Sequence, residues 1–512
     1  MLRGVLTVGG WTMASRVLGF ARDMLIAAIL GAGPVADAFF VALKLPNLFR
    51  RLFGEGAFNA AFVPAFSGML AAEGRPAARQ FAEETFAVMA FWLGALTIAG
   101  EVLMPHVMAV LAPGFLAIPA KFELAVALSR ITFPYVLLIC LAALVSGVLN
   151  GLDRFTAASA SYALFNIVSI ACMLWLTPYV PTAGHALSWG ITASGVAQLG
   201  LLMLALRRAG MGLRLPRPRL TPQIRVLLRR MLPGLIGAGV TQLNLAVDVI
   251  IASLLPAGTV SLLYYADRVQ QLPLGVIGTA VGTALLPLLS RQVRGGEAEA
   301  ALVTLNRAIE YALFLTLPAA VALIVCAWPV MWTLFGRGAF DAESARLSAQ
   351  SLAAYAVGLP AFVLVKVLAP GFFARGDTAT PVKVGVAAVA LNLAMNLAFM
   401  VPLRHIGPAL ATSLAAIFNV GWLGVVLVRR GHLRLDARLR ERLLRMVLAT
   451  AAMAAVLWLA QGALFASSSH MARSAALAAL VVSGLAGYAV AALFFGACDW
   501  RLLQPILGRG RS

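Results

Sequence analysis

Apolar runs of about 20 residues recur from one end of this 512-residue chain to the other, joined by short polar connections. Wound as an α-helix, such a run crosses ~30 Å of hydrocarbon. The sequence is 61% hydrophobic and only 12% charged, where a soluble domain is about half apolar and roughly a quarter charged. No stretch is polar enough to form a separate soluble domain. The expectation is an all-α polytopic membrane protein.

Hydropathy places 14 spans, among them 4–31, a long 34–71 broken near Gly54 and Gly56, 226–254, 262–290, 303–335 and 345–373. The formal net charge of +20 comes from arginine: only Lys44, Lys121, Lys366 and Lys383 are lysines. These charges crowd particular loops. Residues 207–230, "RRAGMGLRLPRPRLTPQIRVLLRR", hold eight arginines and no acid, and 429–445 hold Arg429, Arg430, Arg434, Arg438, Arg440, Arg442 and Arg445. The alternate loops 31–34, 179–184 and 255–261 hold no Lys or Arg. Basic loops stay cytoplasmic, so both termini are expected there, and nucleic acid is not an expected partner. Charges interrupt the first apolar run where a cleavable signal would need its apolar region, so the first helix is expected to be retained. Cys140, Cys172, Cys326 and Cys498 are isolated and the five histidines scattered, which points to neither a disulfide framework nor a metal site.

The chain repeats itself. "DMLIAAILGAGPV" (23–35) aligns with "DVIIASLLPAGTV" (248–260), and "FVPAFS" (62–67) with "LLPLLS" (285–290). "LNGLDRFTAAS" (149–159) aligns with "FARGDTATPVK" (373–383), pairing Asp153 with Asp377 and Thr156 with Thr380. The period holds six spans, an even number, so the halves keep one orientation and form a parallel pseudo-twofold repeat, a transporter signature. The expected organisation is an N-terminal lobe over 1–215, a C-terminal lobe over 216–430, and two additional helices with a tail over 431–512.

Several spans carry charge at membrane depth. Arg16 and Asp23, seven residues apart, share a face of the first span, with Arg22 about a third of a turn away. In the second, Asp37, Lys44 and Arg51 recur every seven residues, Glu55 follows Arg51 by four, and Arg50 flanks them. If the helix stays regular through Pro46, the four form one polar stripe. The seventh span carries Asp248; the eighth carries Asp267 and Arg268, with Gln270 and Gln271 beyond. Each charge facing lipid costs roughly 2.5–3.5 kcal/mol, so Arg16, Arg22, Lys44, Arg50, Arg51 and Arg268 together would cost on the order of 15–20 kcal/mol. They are expected to face water. Arg16–Asp23 and Lys44–Asp37 ion pairs would neutralise part of the set, but against Asp23, Asp37, Glu55 and Asp267 the cations remain in excess. An arginine-rich cavity suits a multi-oxygen anion, because guanidinium donates paired hydrogen bonds to phosphate oxygens and stays charged. Glycine-rich stretches and Pro46, Pro134, Pro273 and Pro360 supply bending points.

"SRVLGFARD" (15–23) followed by "GAGPVADAFFVALKLPNLFRRLFGEGAFNAAFVP" (31–64) closely resembles the N-terminal signature of the MurJ/MviN family. These are bacterial lipid II flippases of the multidrug/oligosaccharidyl-lipid/polysaccharide exporter superfamily. "YYADRVQQLPLGVIGTAVGTALLP" (264–287) and "ARGDTATPV" (374–382) extend the resemblance over essentially the full length. It implies an inner-membrane, non-enzymatic transporter whose cavity positions fall on Arg16, Arg22, Asp37, Arg50, Arg51, Glu55 and Arg268, with Lys44 and Asn47 in the same motif. It implies lipid II, the undecaprenyl-pyrophosphate-linked disaccharide-pentapeptide, as cargo, with Arg16, Arg22 and Arg268 on the pyrophosphate. Asp37 and Glu55 would exchange arginine partners, and Asp23 would orient Arg16. The last two helices would form a groove for the polyprenyl tail. Further partners are membrane lipids and the cell-wall synthesis and division machinery. No cofactor is implied; the membrane potential or a monovalent cation would drive transport. Asp248 and Asp377 are candidates for a sodium site, Asp377 alternatively for capping a helix end, and the ion is unassigned.

The alternatives are a polysaccharide-repeat flippase or a cation-coupled drug exporter of the same superfamily. A drug exporter of cations calls for net acid in its cavity, and this chain presents net base. A membrane enzyme acting on polyprenyl phosphates calls for an acidic metal-binding loop or a catalytic domain, and the outward loops are short and nearly uncharged apart from "GRGAFDAESAR" (336–346).

Overall fold

The computed structural model describes residues 2–51, 57–465 and 470–497, and among these there are helices and no strands. Two compact units divide at Ser261 and Leu262. The first holds α1 (Leu2–Leu30), α2 (Pro34–Phe49), α3 (Ala57–Ala72), α4 (Gly74–Leu111), α5 (Pro119–Thr132), α6 (Tyr135–Gly151), α7 (Phe155–Leu176), α8 (Ala183–Arg208) and α9 (Pro222–Ser253). α10 (Thr259–Arg294) starts at its end and runs on into the second. There follow α11 (Ala298–Val325), α12 (Ala327–Phe335), α13 (Ala342–Val357), α14 (Leu359–Phe373), α15 (Ala379–Phe399), α16 (Ile406–Arg429), α17 (Ala437–Leu464) and α18 (His470–Phe494).

The compact units do not break where the repeat does. α9, which the repeat assigns to the second half, packs on α3 and α4 of the first. Its C-terminal end is tied there as well, where the Gly114 N–H donates to Ser253 Oγ at 3.2 Å.

Among the described residues ten helical stretches are long and apolar enough to cross a membrane. The four expected spans outside these ten are 4–31, 34–71, 226–254 and 262–290, the ones that carry charge at membrane depth; they are helical over α1, α2 with α3, α9 and α10. Large apolar side chains such as Val110, Trp175 and Phe494 stand exposed along the helices, the reverse of a soluble surface and what an acyl-chain solvent requires. Inside the first unit Phe58, Phe62 and Phe66 stack along α3, and Phe81 of α4 stacks on Phe62 at 5.6 Å. In the second, Leu305, Ile309, Val367, Phe372, Leu423 and Leu427 bind α11, α14 and α16 into one core.

Three expected single spans are interrupted. α5 gives way to α6 at Phe133–Pro134, α13 to α14 at Gly358, and α11 to α12 at Cys326. Pro134 and Pro360 lack the N–H that would continue the ladder, and both stand at the breaks as expected of bending points. Gly358 lies so close to α16 that a Cβ would stand 2.7 Å from Ser413 Cα. Pro46, by contrast, stays within α2.

Candidate functional site: buried carboxylates and an open guanidinium

On α1 the charges do not pair as their shared face suggests. Asp23 accepts from its neighbour Arg22, Nη2 at 2.9 Å and Nε at 3.3 Å, and the two are 2% and 6% exposed. The Arg22 guanidinium lies 5.4 Å from the centre of the Phe165 ring on α7, a cation–π contact that suits a dry site. One residue on, Asn166 donates to the Ser15 carbonyl at 3.1 Å and fixes the register of α7 against α1. Arg16 is exposed and makes no hydrogen bond or ion pair with a described residue. The expected Arg16–Asp23 pair is therefore absent, for a reason of length: seven helical residues rise ~10 Å, beyond a direct contact.

The same spacing separates Lys44 from Asp37, and that expected pair is replaced too. Asp37, 1% exposed in the first turn of α2, accepts from Lys121 Nζ of α5 at 2.7 Å. It also accepts from Gly258 N at 2.7 Å and from Ser261 N and Oγ, each at 2.9 Å. Its carboxylate thus satisfies amides that open the first turn of α10, where the helix dipole favours negative charge. Gly258 has φ +94°, and a Cβ there would lie 3.1 Å from the Ala32 carbonyl oxygen; an L side chain would be strained in that backbone. Lys121, 5% exposed, also sits 4.1 Å from the centre of the Phe115 ring. Asp37 is therefore committed to a lysine and not to an arginine. Lys121 was missed as a site residue, although it is one of only four lysines in the chain and opens an apolar span.

The polar stripe of the second span does not continue as one helix face. α2 ends at Phe49 and residues 50–51 form a π turn; Lys44, Asn47 and Arg50 are half-buried and Arg51 is exposed. Arg50 lines a narrow cleft with Ser146, Ser161, Tyr162 and Gln198, whose amide is fixed by Tyr135 Oη and the Ser161 carbonyl. Glu55 lies outside the described residues, with Gly54 and Gly56. Asp248 is half-buried on α9.

In the second unit Arg268 is half-buried, donates through Nε to Tyr264 Oη at 3.1 Å and lies 5.2 Å from that ring's centre. Asp267 accepts from Gln271, and Gln270 holds the Tyr355 carbonyl of α13 at 2.9 Å. Asp377 does what a helix cap does: it accepts from Thr380 N at 2.9 Å, from Thr380 Oγ1 at 2.6 Å and from Arg430 Nη1 at 2.6 Å. With a guanidinium on the carboxylate and two bonds from Thr380, the structure places Asp377 in the capping role, the second of the two its sequence allows. Among the described residues no three His, Cys, Asp or Glu side chains cluster as metal ligands.

The basic stretch 429–445 turns out to be more than a topology signal. Glu310 of α11 is 1% exposed and accepts from Arg307 and Arg442, with Arg438 Nε 3.5 Å away. Asp436 caps α17 through Leu439 N at 2.7 Å and takes the other end of Arg307. α17 is thereby fixed on α11.

Comparison with known proteins decides the family. The family described as "Lipid II flippase MurJ" matches residues 26–475. A protein of Rhizobium meliloti named "Probable lipid II flippase MurJ" is 44% identical over 514 residues, covering 99% of this chain and 96% of its own. One of Rhizobium tropici with the same name is 41% identical over 521 residues, covering 100% and 97%. The chain belongs to the lipid II flippase MurJ family. The solved structure "Lipid II flippase MurJ, inward closed conformation" matches its fold with a TM-score of 0.79 at 24% identity, covering 96% of this chain and 99% of that one. As a MurJ family member with ten candidate spans among its described residues it is a multi-pass protein of the inner membrane.

In this MurJ family member the Asp377 cap has a pH signature. The Thr380 hydroxyl first, and then the Arg430 guanidinium, hold its carboxyl well below the ordinary value of 3.8. A depressed folded pKa stabilises fully above the unfolded value and is lost as pH falls through the folded one. In a comparison of thermal melting between wild type and Asp377→Asn, the gap should stay constant from pH 8 down to about 4 and close only below that. A gap that closes near pH 6 would mean that another group governs the cap.

Proposed function

We propose that the protein moves lipid II from the cytoplasmic to the periplasmic leaflet for cell-wall synthesis, as a transporter and not an enzyme. The observation that carries the anion-binding part of this reading is Arg16: a guanidinium on α1, exposed, with no bond to a described residue. An uncompensated cation at membrane depth is expensive against lipid and well matched to the pyrophosphate oxygens of the cargo. Arg22, buried with Asp23, holds the framework around Arg16, and Arg268 supplies a second guanidinium. The finer organisation we propose is 14 transmembrane helices with both termini cytoplasmic. Repeat halves 1–215 and 216–430 would work by alternating access, and 431–512 would supply two further helices to guide the polyprenyl tail. Outward movement of a negative charge against a negative-inside potential releases ~2.3 kcal/mol per 100 mV, so the potential is a sufficient drive for an anionic head group. The excess of base supports this cargo over a cation exporter, and the relatives' names over a polysaccharide flippase.

The test is conditional depletion. Loss of the protein should halt wall growth and leave lipid II inaccessible to an externally added lipid II-cleaving toxin, and a wild-type copy should restore both. Rescued growth with lipid II still confined to the inner leaflet would refute the reading.

A further inference from the structure

The two halves end their fourth repeat helix in the same backbone shape but with opposite charge. In the second unit α14 runs into Gly376 at φ +77°, and the next N–H, of Asp377, donates back to the Phe372 carbonyl at 3.1 Å. In the first unit α6 runs into Asp153 at φ +57°, and the next N–H, of Arg154, donates back to the Leu149 carbonyl at 2.9 Å. Both are five-residue returns past a left-handed residue, a common helix ending. The backbone therefore equates Arg154 with Asp377, one residue away from the Asp153–Asp377 match that the sequence suggests.

The consequence is chemical. In the second unit Asp377 closes on Arg430, at the end of α16. In the first unit the corresponding helix end is that of α8, and it too carries arginine, at 207 and 208. Where one half has acid against base, the other sets Arg154 against arginine, and the exposed Asp153 beside it offsets one of these positive charges and leaves base in excess. Instead of a closed latch there is a cleft of about 530 Å³, lined by Arg154, Arg208 and Asp153 together with Leu149, Phe155, Leu201 and Leu204. Arg154 and Arg208 are exposed, and neither makes a side-chain hydrogen bond or ion pair with a described residue.

We propose that this cleft binds the phosphate of an anionic membrane phospholipid, clasped by Arg154 and Arg208 with the upper acyl chain against Leu149, Phe155, Leu201 and Leu204. A phosphate between the guanidiniums would supply the negative charge that Asp377 supplies in the other half. The apolar part of the lining, Leu149, Phe155, Leu201 and Leu204 at the ends of helices that cross the bilayer, selects a lipid over a soluble anion. Basic pockets between helices at the end that carries arginine-rich loops favour anionic headgroups on the same physical grounds. The site is separate from Arg16 and does not depend on the cargo assignment.

The test uses the full-length protein in mild detergent, with its melting temperature followed against added dioleoylphosphatidylglycerol. Wild type should gain stability saturably, and dioleoylphosphatidylcholine or inorganic phosphate should give no such gain. The Arg154→Gln/Arg208→Gln double variant should need about tenfold more phosphatidylglycerol for half the effect. Both side chains are exposed, so folding should survive the change. Ala205→Trp, which fills the cleft without touching charge, should weaken the response as well. Arg430→Gln should melt lower but keep the full lipid response. An unchanged titration in the double variant, or in Ala205→Trp, would overturn the proposal; so would inorganic phosphate matching phosphatidylglycerol, or loss of the response in Arg430→Gln.

Discussion

Arg16→Ala should fail to rescue a depleted strain while accumulating and melting like wild type. Arg16 is exposed and bonds to no described residue, so its removal disturbs no packing and should shift stability by no more than about 0.5 kcal/mol. Its proposed contact is with a phosphate, and a charged hydrogen-bond pair is worth about 1.5–3 kcal/mol. Cargo binding should then weaken by roughly 10- to 100-fold. Arg22→Ala makes the useful contrast. It takes away the guanidinium from which Asp23, 2% exposed, accepts, and breaking a buried pair by removing one partner costs about 3–5 kcal/mol. That variant should lose both rescue and thermal stability. Size-exclusion profiles, melting curves and rescue on the same set of strains separate the two. Normal rescue by Arg16→Ala would remove the phosphate contact from the mechanism.

Asp37→Ala should be the more damaging half of an unequal pair with Lys121→Ala. Asp37 serves four donors: Lys121 Nζ, two backbone amides, and the Ser261 hydroxyl. Deleting it leaves a buried ammonium and the Gly258 and Ser261 N–H groups without their acceptor, on the order of 3–5 kcal/mol. Deleting Lys121 leaves Asp37 still held by three neutral donors, and the loss should be about 1–3 kcal/mol. In a double-mutant cycle on melting temperature, Asp37→Leu with Lys121→Met should recover part of what Asp37→Leu alone loses, because no charge remains buried. Strict additivity would show that the two side chains do not act as a pair.

These contacts mark where reading the sequence succeeds and where it stops. Hydropathy found the helices, including charged α1, α2, α9 and α10, and the bends at Pro134 and Pro360, because a helix's length and a proline's missing N–H are properties of a few consecutive residues. The sequence motifs placed the chain in its family. Partner choice came out differently. Periodicity put Arg16 beside Asp23 and Lys44 beside Asp37, since residues seven apart share a face, but sharing a face is not touching across ~10 Å. The partners actually used are Arg22, next in sequence, and Lys121, 84 residues away. Glu310 is similar: nothing local in α11 announces that arginines 128 and 132 residues further on will neutralise it.

The sequence by itself determined that this is a many-span helical membrane protein, richer in base than in acid and belonging to a flippase family. Composition and period are summed along the chain and need no coordinates. Only the tertiary structure decided which charges are spent on one another and which stay open. Ion pairing falls off within a few ångströms, and it is the packing of α1 on α7, α2 on α5 and α17 on α11 that sets those distances.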